Sequence, residues 1–213
     1  MAKKEAPLEY LSQFIPDLSA PLILEYLHHY KVHLTVSKER KSILGDYRHT
    51  TQHKNHRISV NGNLNKYSFL ITLLHELAHL LTFDQFGNRV AAHGGEWKKN
   101  YALMLKQFIE HKVFPADIEE ELKATFKNPA ASSCAEEGLL RILRRYDEKQ
   151  THHKLVEELP INSIFKTHDG RLFKKGKKMR KRFQCEEVGT GRIYLFSPVY
   201  EVVDTASNNE IKD

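Results

Sequence analysis

The residues best suited to chemistry in this chain are His75, Glu76 and His79, in the sequence HELAH. Because His75 and His79 are four positions apart, a helix would carry both imidazoles on one face, about 6 Å apart, where one zinc ion could bind both. Glu76, beside them, could take a proton from a zinc-bound water and pass it to a departing amine. The pattern predicts a catalytic zinc site that hydrolyses peptide bonds, with one Zn²⁺ per chain.

The segment around this motif, residues 65–86, reads NKYSFLITLLHELAHLLTFDQF and predicts one long helix. Asn65 is a suitable N-cap, and Gly87 is a suitable stop. Apolar residues cover most of the helix circumference, so we expect the helix to be central and buried. Histidines and a carboxylate buried there must be hydrogen-bonded or metal-bound to offset their lost hydration, which supports the zinc hypothesis.

A catalytic zinc ion usually has three protein ligands and one open position, so a further ligand is needed downstream of His79. The metzincin spacing would require glycine and histidine where this chain has Thr82 and Gln85, and that family is therefore excluded. The remaining candidates are His93 and Glu96, both in the sequence AHGGEW. Glu96 would give a site of two histidines and one glutamate; of the two, we favour His93.

The sequence HELAHL followed by HGGEWK resembles the motif of the SprT-like family, which pairs His-Glu-x-x-His with a later His-Gly-x-x-aromatic. Trp97 supplies the aromatic residue, and the resemblance extends from about Tyr26 through Phe114, including LGDYR and ISVN. It implies a zincin-like metallopeptidase domain with His93 as third ligand, and Glu96 then belongs near a helix start. The family includes bacterial SprT proteins and Spartan-type proteases, which cleave proteins crosslinked to DNA.

The remaining periodicity predicts an α+β fold. Helical spacing of apolar residues predicts packing helices at 8–15, after Ser19 and at 96–112, and alternation predicts strands at 32–37 and 57–61. We expect residues 1–128 to form the zincin-like domain, a small sheet packed on helices that include the HELAH helix. We expect residues 129–150 to be a linker with a short helix, and residues 151–213 to be a small, basic, antiparallel β module.

The chain has two cysteines, Cys134 and Cys185. Typical family members add a C-terminal zinc-ribbon-like segment, and Cys185, in RFQCEE, stands where its first cysteine would be. No Cys-x-x-Cys partner follows, so we expect the β module to fold without a second zinc ion. Cys134 is expected to be a small buried residue rather than a nucleophile, because no neighbour in the sequence resembles its base.

The sequence favours a cytoplasmic protein without a membrane partner. Residues 1–10 hold no apolar run that could form a signal-peptide core. The most apolar stretch, residues 69–83, is interrupted by two histidines and a glutamate, which is typical of a core helix rather than a membrane span. Two cysteines this far apart indicate a reducing compartment.

The net charge of +6 and the pI near 9.1 favour anionic partners, nucleic acid first. The most basic stretch is residues 171–182, RLFKKGKKMRKR, which could track a phosphate backbone with Phe173 among its cations. A solvated hairpin whose lysines protect a sheet edge is an equally good interpretation. The candidate nucleic-acid-binding residues are Lys174, Lys175, Lys177, Lys178, Arg180, Lys181 and Arg182.

Three functional hypotheses follow. The first is a SprT-like zinc metallopeptidase that takes protein or peptide substrates, including proteins bound or crosslinked to DNA. The second is a nucleic-acid-binding protein with a structural or vestigial zinc site, and the third is a peptidase for unfolded or regulatory proteins without nucleic acid. Glu76 favours a peptidase over the second hypothesis, because a structural zinc site normally has a fourth protein ligand and no use for a carboxylate beside an open position.

Overall fold

The computed structural model describes residues 8–40, 42–51, 54–147 and 153–205. The fold is α+β, as the sequence predicted, and the chain divides into two compact units, residues 1–147 and 148–213. Within the described residues the first unit has five α-helices and a three-stranded sheet, and the second has a six-stranded sheet. None of the described helices is both long enough and apolar enough to cross a membrane.

The helices of the first unit surround a single central helix. They are α1 (Ala20–His29), α2 (Lys66–Phe86), α3 (Gly95–Glu110), α4 (Ala116–Thr125) and α5 (Glu137–Leu143). The predicted bounds of α2 are confirmed: the side chain of Asn65 accepts hydrogen bonds from the backbone N–H groups of Tyr67 and Ser68, and Gly87 ends the helix with a φ of 60°. Residues 68–78 of α2 are all buried, so the helix is central as expected.

The sheet of the first unit packs against α2 and has the order β1-β3-β2. Its strands are β1 (His33–Ser37), β2 (Gly45–Arg48) and β3 (Arg57–Asn61), with β1 parallel and β2 antiparallel to β3. The sequence predicted β1 and β3 but not β2. The four residues GDYR show no alternation of apolar and polar side chains, so β2 had no periodic signal, and it lies at the edge of the sheet.

The first unit extends past the predicted boundary at residue 128. Leu139 and Leu143 of α5 are buried in the same core as α2, and the hydroxyl of Tyr146 donates to Asp117 Oδ1 at 2.8 Å. The segment assigned to a linker is therefore part of the first unit up to residue 147. Sequence reasoning missed this because short amphipathic segments such as α4 and α5 give little local signal and are stabilised by the core that they cover.

The second unit is the predicted antiparallel β module. Its strands are β4 (His153–Leu155), β5 (Ile164–Lys166), β6 (Leu172–Met179), β7 (Arg182–Glu187), β8 (Ile193–Phe196) and β9 (Glu201–Asp204), in the order β4-β9-β5-β6-β7-β8. Phe165, Phe173, Cys185 and Val202 are buried in its core. Cys185 is thus enclosed by apolar side chains, and the described residues of this unit contain no group of metal-ligating side chains.

Candidate metal centre

Three histidines converge on one point in the first unit. His75 and His79 leave the same face of α2, and His93 comes from the loop that leads into α3. The Nε2 atoms of His75 and His93 are 3.3 Å apart, and a ring nitrogen from each of the three residues lies within 4.8 Å of the others. Among the described residues this is the one cluster with the spacing of a metal site, and it brings together all three ligands that the sequence indicated.

The chemistry of these histidines fits a metal ion. Burial, with the neighbouring histidines, lowers the pKa of His75 to about 3 and that of His79 to about 4, so both rings are neutral and able to ligate at pH 7. Two zinc–nitrogen bonds of about 2.0–2.1 Å at a tetrahedral angle would separate their nitrogens by about 3.3–3.4 Å. The separation between His75 and His93 has this value.

Trp97 forms an aromatic wall behind the three histidines. Its ring is fully buried and lies 4.7 Å from the rings of His75 and His93 and 5.3 Å from that of His79, measured between centroids. Tyr101, one turn further along α3, stacks on Trp97 at 5.1 Å. These large rings exclude water and restrict the rotation of the imidazoles, so α3 holds the histidines in place against α2.

Glu96, the alternative third ligand, lies outside the histidine cluster. It stands in the first turn of α3, where a carboxylate interacts favourably with the positive end of the helix. A Cβ atom built on Gly94 would come within 3.2 Å of Glu96 Oε2, so this carboxylate folds back along the start of its own helix. Of the two candidates from the sequence, His93 is the one that meets His75 and His79.

The carboxylate of Glu76 is enclosed between α2 and β2. It is 7% exposed, and it accepts a hydrogen bond from the backbone N–H of Tyr47. Burial, aided by the charge of Asp46, raises the pKa of Glu76 to about 8, although Arg40 and the Tyr47 hydrogen bond oppose the shift. The environment therefore makes Glu76 a much better proton acceptor than a solvated glutamate.

The close approach of β2 to Glu76 depends on Gly45. A Cβ atom at this position would lie 2.6 Å from Glu76 Oε1 and 2.8 Å from the Thr72 side-chain methyl. The ring of Tyr47, two residues along the strand, lies parallel to that of His79 at 6.5 Å. Sequence reasoning assigned no role to Gly45 or Tyr47, and the only available signal was the glycine in LGDYR.

A cleft of about 630 Å³ opens above Glu76 and the histidines. Besides residues of α2, three segments form its walls: residues 42–47, residues 87–93 except Arg89, and residues 131–133. The last segment was placed in the linker by the sequence, and nothing in its composition, ASS, indicated a contact with the site. It reaches the cleft through the packing of the chain that follows α4.

The basic residues of the second unit lie on the hairpin formed by β6 and β7. Six of the seven predicted residues are exposed: Lys174, Lys177, Lys178, Arg180, Lys181 and Arg182. Lys175 is instead buried: its ammonium donates to the carbonyls of Glu157 and Leu159 and lies 4.2 Å from the centre of the Phe183 ring. Phe173 is fully buried as well, so neither residue is available to a nucleic acid.

Comparison with known proteins finds a family that resembles much of the first unit. Residues 17–120 match the SprT-like family, a longer stretch than the one on which the sequence resemblance was based. No curated protein and no solved structure matches the chain significantly. The matched residues run from the turn before α1 into α4 and include the three clustered histidines and Glu76. Over these residues the chain is similar to the SprT-like family.

Proposed function

We propose that this protein is a zinc-dependent metallopeptidase of the SprT-like type, with a zincin-like catalytic domain. The observation that carries the proposal is the position of Glu76: a buried carboxylate beside three clustered neutral histidines, at the base of an open cleft. A purely structural zinc site would normally have a fourth protein ligand and no need of the cleft. The arrangement favours hydrolysis over the alternative of a nucleic-acid-binding protein with a structural zinc ion.

Each group has a role in this proposal. His75, His79 and His93 would hold one zinc ion, which when bound would acidify the attacking water and polarise the scissile carbonyl. Glu76 would accept the proton of that water and deliver it to the departing amine. Burial of Glu76 favours its protonated form, whereas the positive charge of a bound zinc ion would favour its carboxylate form, and this balance suits a group that must take up a proton and release it again.

The edge strand β2 supports a peptide as the substrate. The backbone N–H of Asn61 donates to the carbonyl of Leu44 at 2.9 Å, and in an antiparallel pair the next residue points its backbone groups the other way. The N–H and C=O groups of Gly45 and Tyr47 therefore point away from β3, and the N–H of Tyr47 already binds Glu76. An extended peptide could pair with the carbonyls left on this edge, beside the metal centre.

The decisive test is the substitution Glu76→Gln, which keeps the size and hydrogen-bonding capacity of the side chain but removes the base. We expect the variant to bind one zinc ion per chain, measured by metal analysis, and to lose cleavage of an unfolded protein substrate by a factor of about 10²–10⁴. The matched control is Glu96→Gln, the same change outside the histidine cluster, which should cleave normally. Unchanged cleavage by Glu76→Gln, or wild-type protein that binds no zinc, would contradict the proposal.

The exposed cations of the β6–β7 hairpin favour a further element of the proposal, that the substrate is presented on nucleic acid. Lys177, Lys178, Arg180, Lys181 and Arg182 are consecutive in the chain but for Met179, and all are exposed. Such a concentration of positive charge binds phosphate backbones by releasing counterions. DNA-bound proteins are therefore proposed as substrates, and free unfolded proteins are the alternative.

A further inference from the structure

The third wall of the cleft, residues 131–133, lies outside the part of the chain that matches the SprT-like family. The family match ends at residue 120, within α4, and this wall follows α4 by several residues. The wall is made of Ala131, Ser132 and Ser133, all small side chains that are exposed or partly exposed. The cleft is therefore completed by a segment that lies beyond the matched residues.

The wall is fixed to the helix that carries Glu76. The hydroxyl groups of Ser133 and Thr72 are 3.0 Å apart and share a hydrogen bond. Cys134 is buried against α2, with its Sγ 3.9 Å from the carbonyl oxygen of Ser68, and its φ of 57° turns the chain at this point. The loop is closed by Glu136, which accepts the backbone N–H of Ala130 at 2.8 Å.

Thr72 also touches the opposite wall. Its side-chain methyl would lie 2.8 Å from a Cβ on Gly45, so this face of Thr72 packs directly beneath β2. Thr72 is one helical turn before Glu76, and its two branches meet the two walls of the cleft: the methyl meets β2 and the hydroxyl meets Ser133. The hydroxyl of Thr72 thus ties the wall at residues 131–133 to α2 beside the proposed base, while its methyl fills space beneath β2.

We infer that residues 131–133 form a second substrate-binding wall facing the edge of β2, and that Thr72 is the positioning residue that holds it. The inference rests on the proposed peptidase function. The substrate is an extended, locally unfolded segment, whose backbone lies along β2 and whose other side contacts the small residues of the wall. Ser133 and Thr72 determine how tightly that segment is held, and neither takes part in the proton transfers.

The first experiment compares Thr72→Val with Thr72→Ser. Valine keeps the methyl toward β2 but removes the hydroxyl, whereas serine keeps the hydroxyl. We expect Thr72→Val to raise the KM for a peptide substrate about threefold to tenfold, the effect of one lost hydrogen bond, with kcat within about twofold of wild type. Thr72→Ser should retain a KM close to that of the wild type, and zinc content should be unchanged in both.

Measuring KM and kcat separately distinguishes a loss of substrate positioning from a loss of folded protein. A variant that only reduced the folded fraction would lower the apparent kcat and leave KM unchanged. Ser133→Ala should also raise KM, and the double variant should be no worse than Thr72→Val alone, because that variant already lacks the bond to Ser133 together with the weaker 4.0 Å contact to Cys134 Sγ. Unchanged KM in Thr72→Val and Ser133→Ala, or additive effects in the double variant, would overturn the inference.

A second experiment tests contact with the substrate directly. Both native cysteines are buried, so Ser132→Cys in the zinc-loaded Glu76→Gln protein offers one accessible thiol for alkylation. We expect a saturating peptide to slow its labelling at least about fivefold, and to leave labelling of Ala135→Cys unchanged, since Ala135 is exposed in the same loop but does not line the cleft. Equal labelling with and without a peptide that the wild type cleaves would refute the second wall while leaving the peptidase proposal intact. Absence of cleavage by the wild type would instead remove the proposed function and this inference with it.

Discussion

At the scale of single residues, the chemistry of this protein depends on a few close approaches between side chains of different elements. His93 reaches His75 from a separate loop, and Glu76 is enclosed because Gly45 leaves room for it. Both contacts are non-local in the chain. Each can therefore be tested by removing or adding a small number of atoms.

If His93 rather than Glu96 is the third ligand, the variants His93→Ala and Glu96→Ala should differ in their affinity for zinc. Removing one of three ligands should weaken zinc binding on the order of 100-fold, whereas Glu96→Ala should leave it unchanged. Trp97 is the only tryptophan in the chain and lies against the histidine rings, so its fluorescence can report the metal titration. Equal affinity in His93→Ala and the wild type would show that His93 is not a ligand.

Because β2 approaches Glu76 closely at Gly45, we predict that Gly45→Ala impairs catalysis. The added Cβ would meet Glu76 Oε1 at 2.6 Å, so either the carboxylate or β2 must move, and kcat/KM should fall about tenfold or more. Zinc binding should be retained, because the histidines are not displaced. The matched control is Gly95→Ala, where an added Cβ meets no atom within 4 Å; equal activity of the two variants would contradict the role of Gly45.

At the scale of elements, α2 is joined to another part of the first unit at its N-terminal end. At its start, Asn65 caps the helix and also donates its side-chain amide to the carbonyl of Leu143 and to Asp147 Oδ1. The same side chain thus joins α2 to the segment after α5. This contact explains why residues 137–147 belong to the first unit.

Because Asn65 both caps α2 and donates two hydrogen bonds, we predict that Asn65→Ala and Asn65→Asp lower the free energy of unfolding by different amounts. Alanine removes both the cap and the two donated bonds, and should lower the free energy of unfolding by about 2 kcal/mol. Aspartate keeps the cap acceptor but places a second carboxylate against Asp147. We expect its loss to be smaller, measured by urea unfolding, and to decrease as salt is added. Equal losses in the two variants would mean that the cap contributes nothing.

At the scale of the whole molecule, the chain combines a unit that carries the histidine cluster with a unit that carries the basic hairpin. Because Lys175 is buried, the exposed positive charge of the hairpin comes from the other six predicted cations. Burial also lowers the pKa of Lys175, and its ammonium donates hydrogen bonds to two backbone carbonyls of the second unit. Its substitution would test stability rather than nucleic-acid binding.

We predict that neutralising exposed lysines of the β6–β7 hairpin weakens DNA binding. Replacing Lys177, Lys178 and Lys181 with glutamine should reduce affinity for double-stranded DNA and lower the slope of log K against log salt by about 2–3. The same replacement at Lys99, Lys106 and Lys127, lysines of the first unit, serves as the control for total charge. Wild-type binding that does not depend on salt, or equal losses in both triple variants, would contradict the hairpin proposal.

The parts that were predictable from the sequence are those governed by contacts between near neighbours. The bounds of α2 follow from a cap and a glycine stop, and the shared face of His75 and His79 follows from the helical repeat. The alternating strands of the second unit are likewise a local pattern. The sequence by itself therefore determined the helix, two of the three clustered histidines, the glutamate beside them and the class of fold.

Only the tertiary structure decided how the cleft is built. The sequence favoured His93 over Glu96, but the approach of His93 to His75 and His79 depends on residues distant in the chain. The same is true of the edge strand β2, the wall at residues 131–133 and the burial of Lys175. None of these has a periodicity of its own, because each is fixed by the surface against which it packs. A short segment takes its conformation from its partners, and those partners exist only once the core around α2, or around the Phe165 and Phe173 rings, has formed.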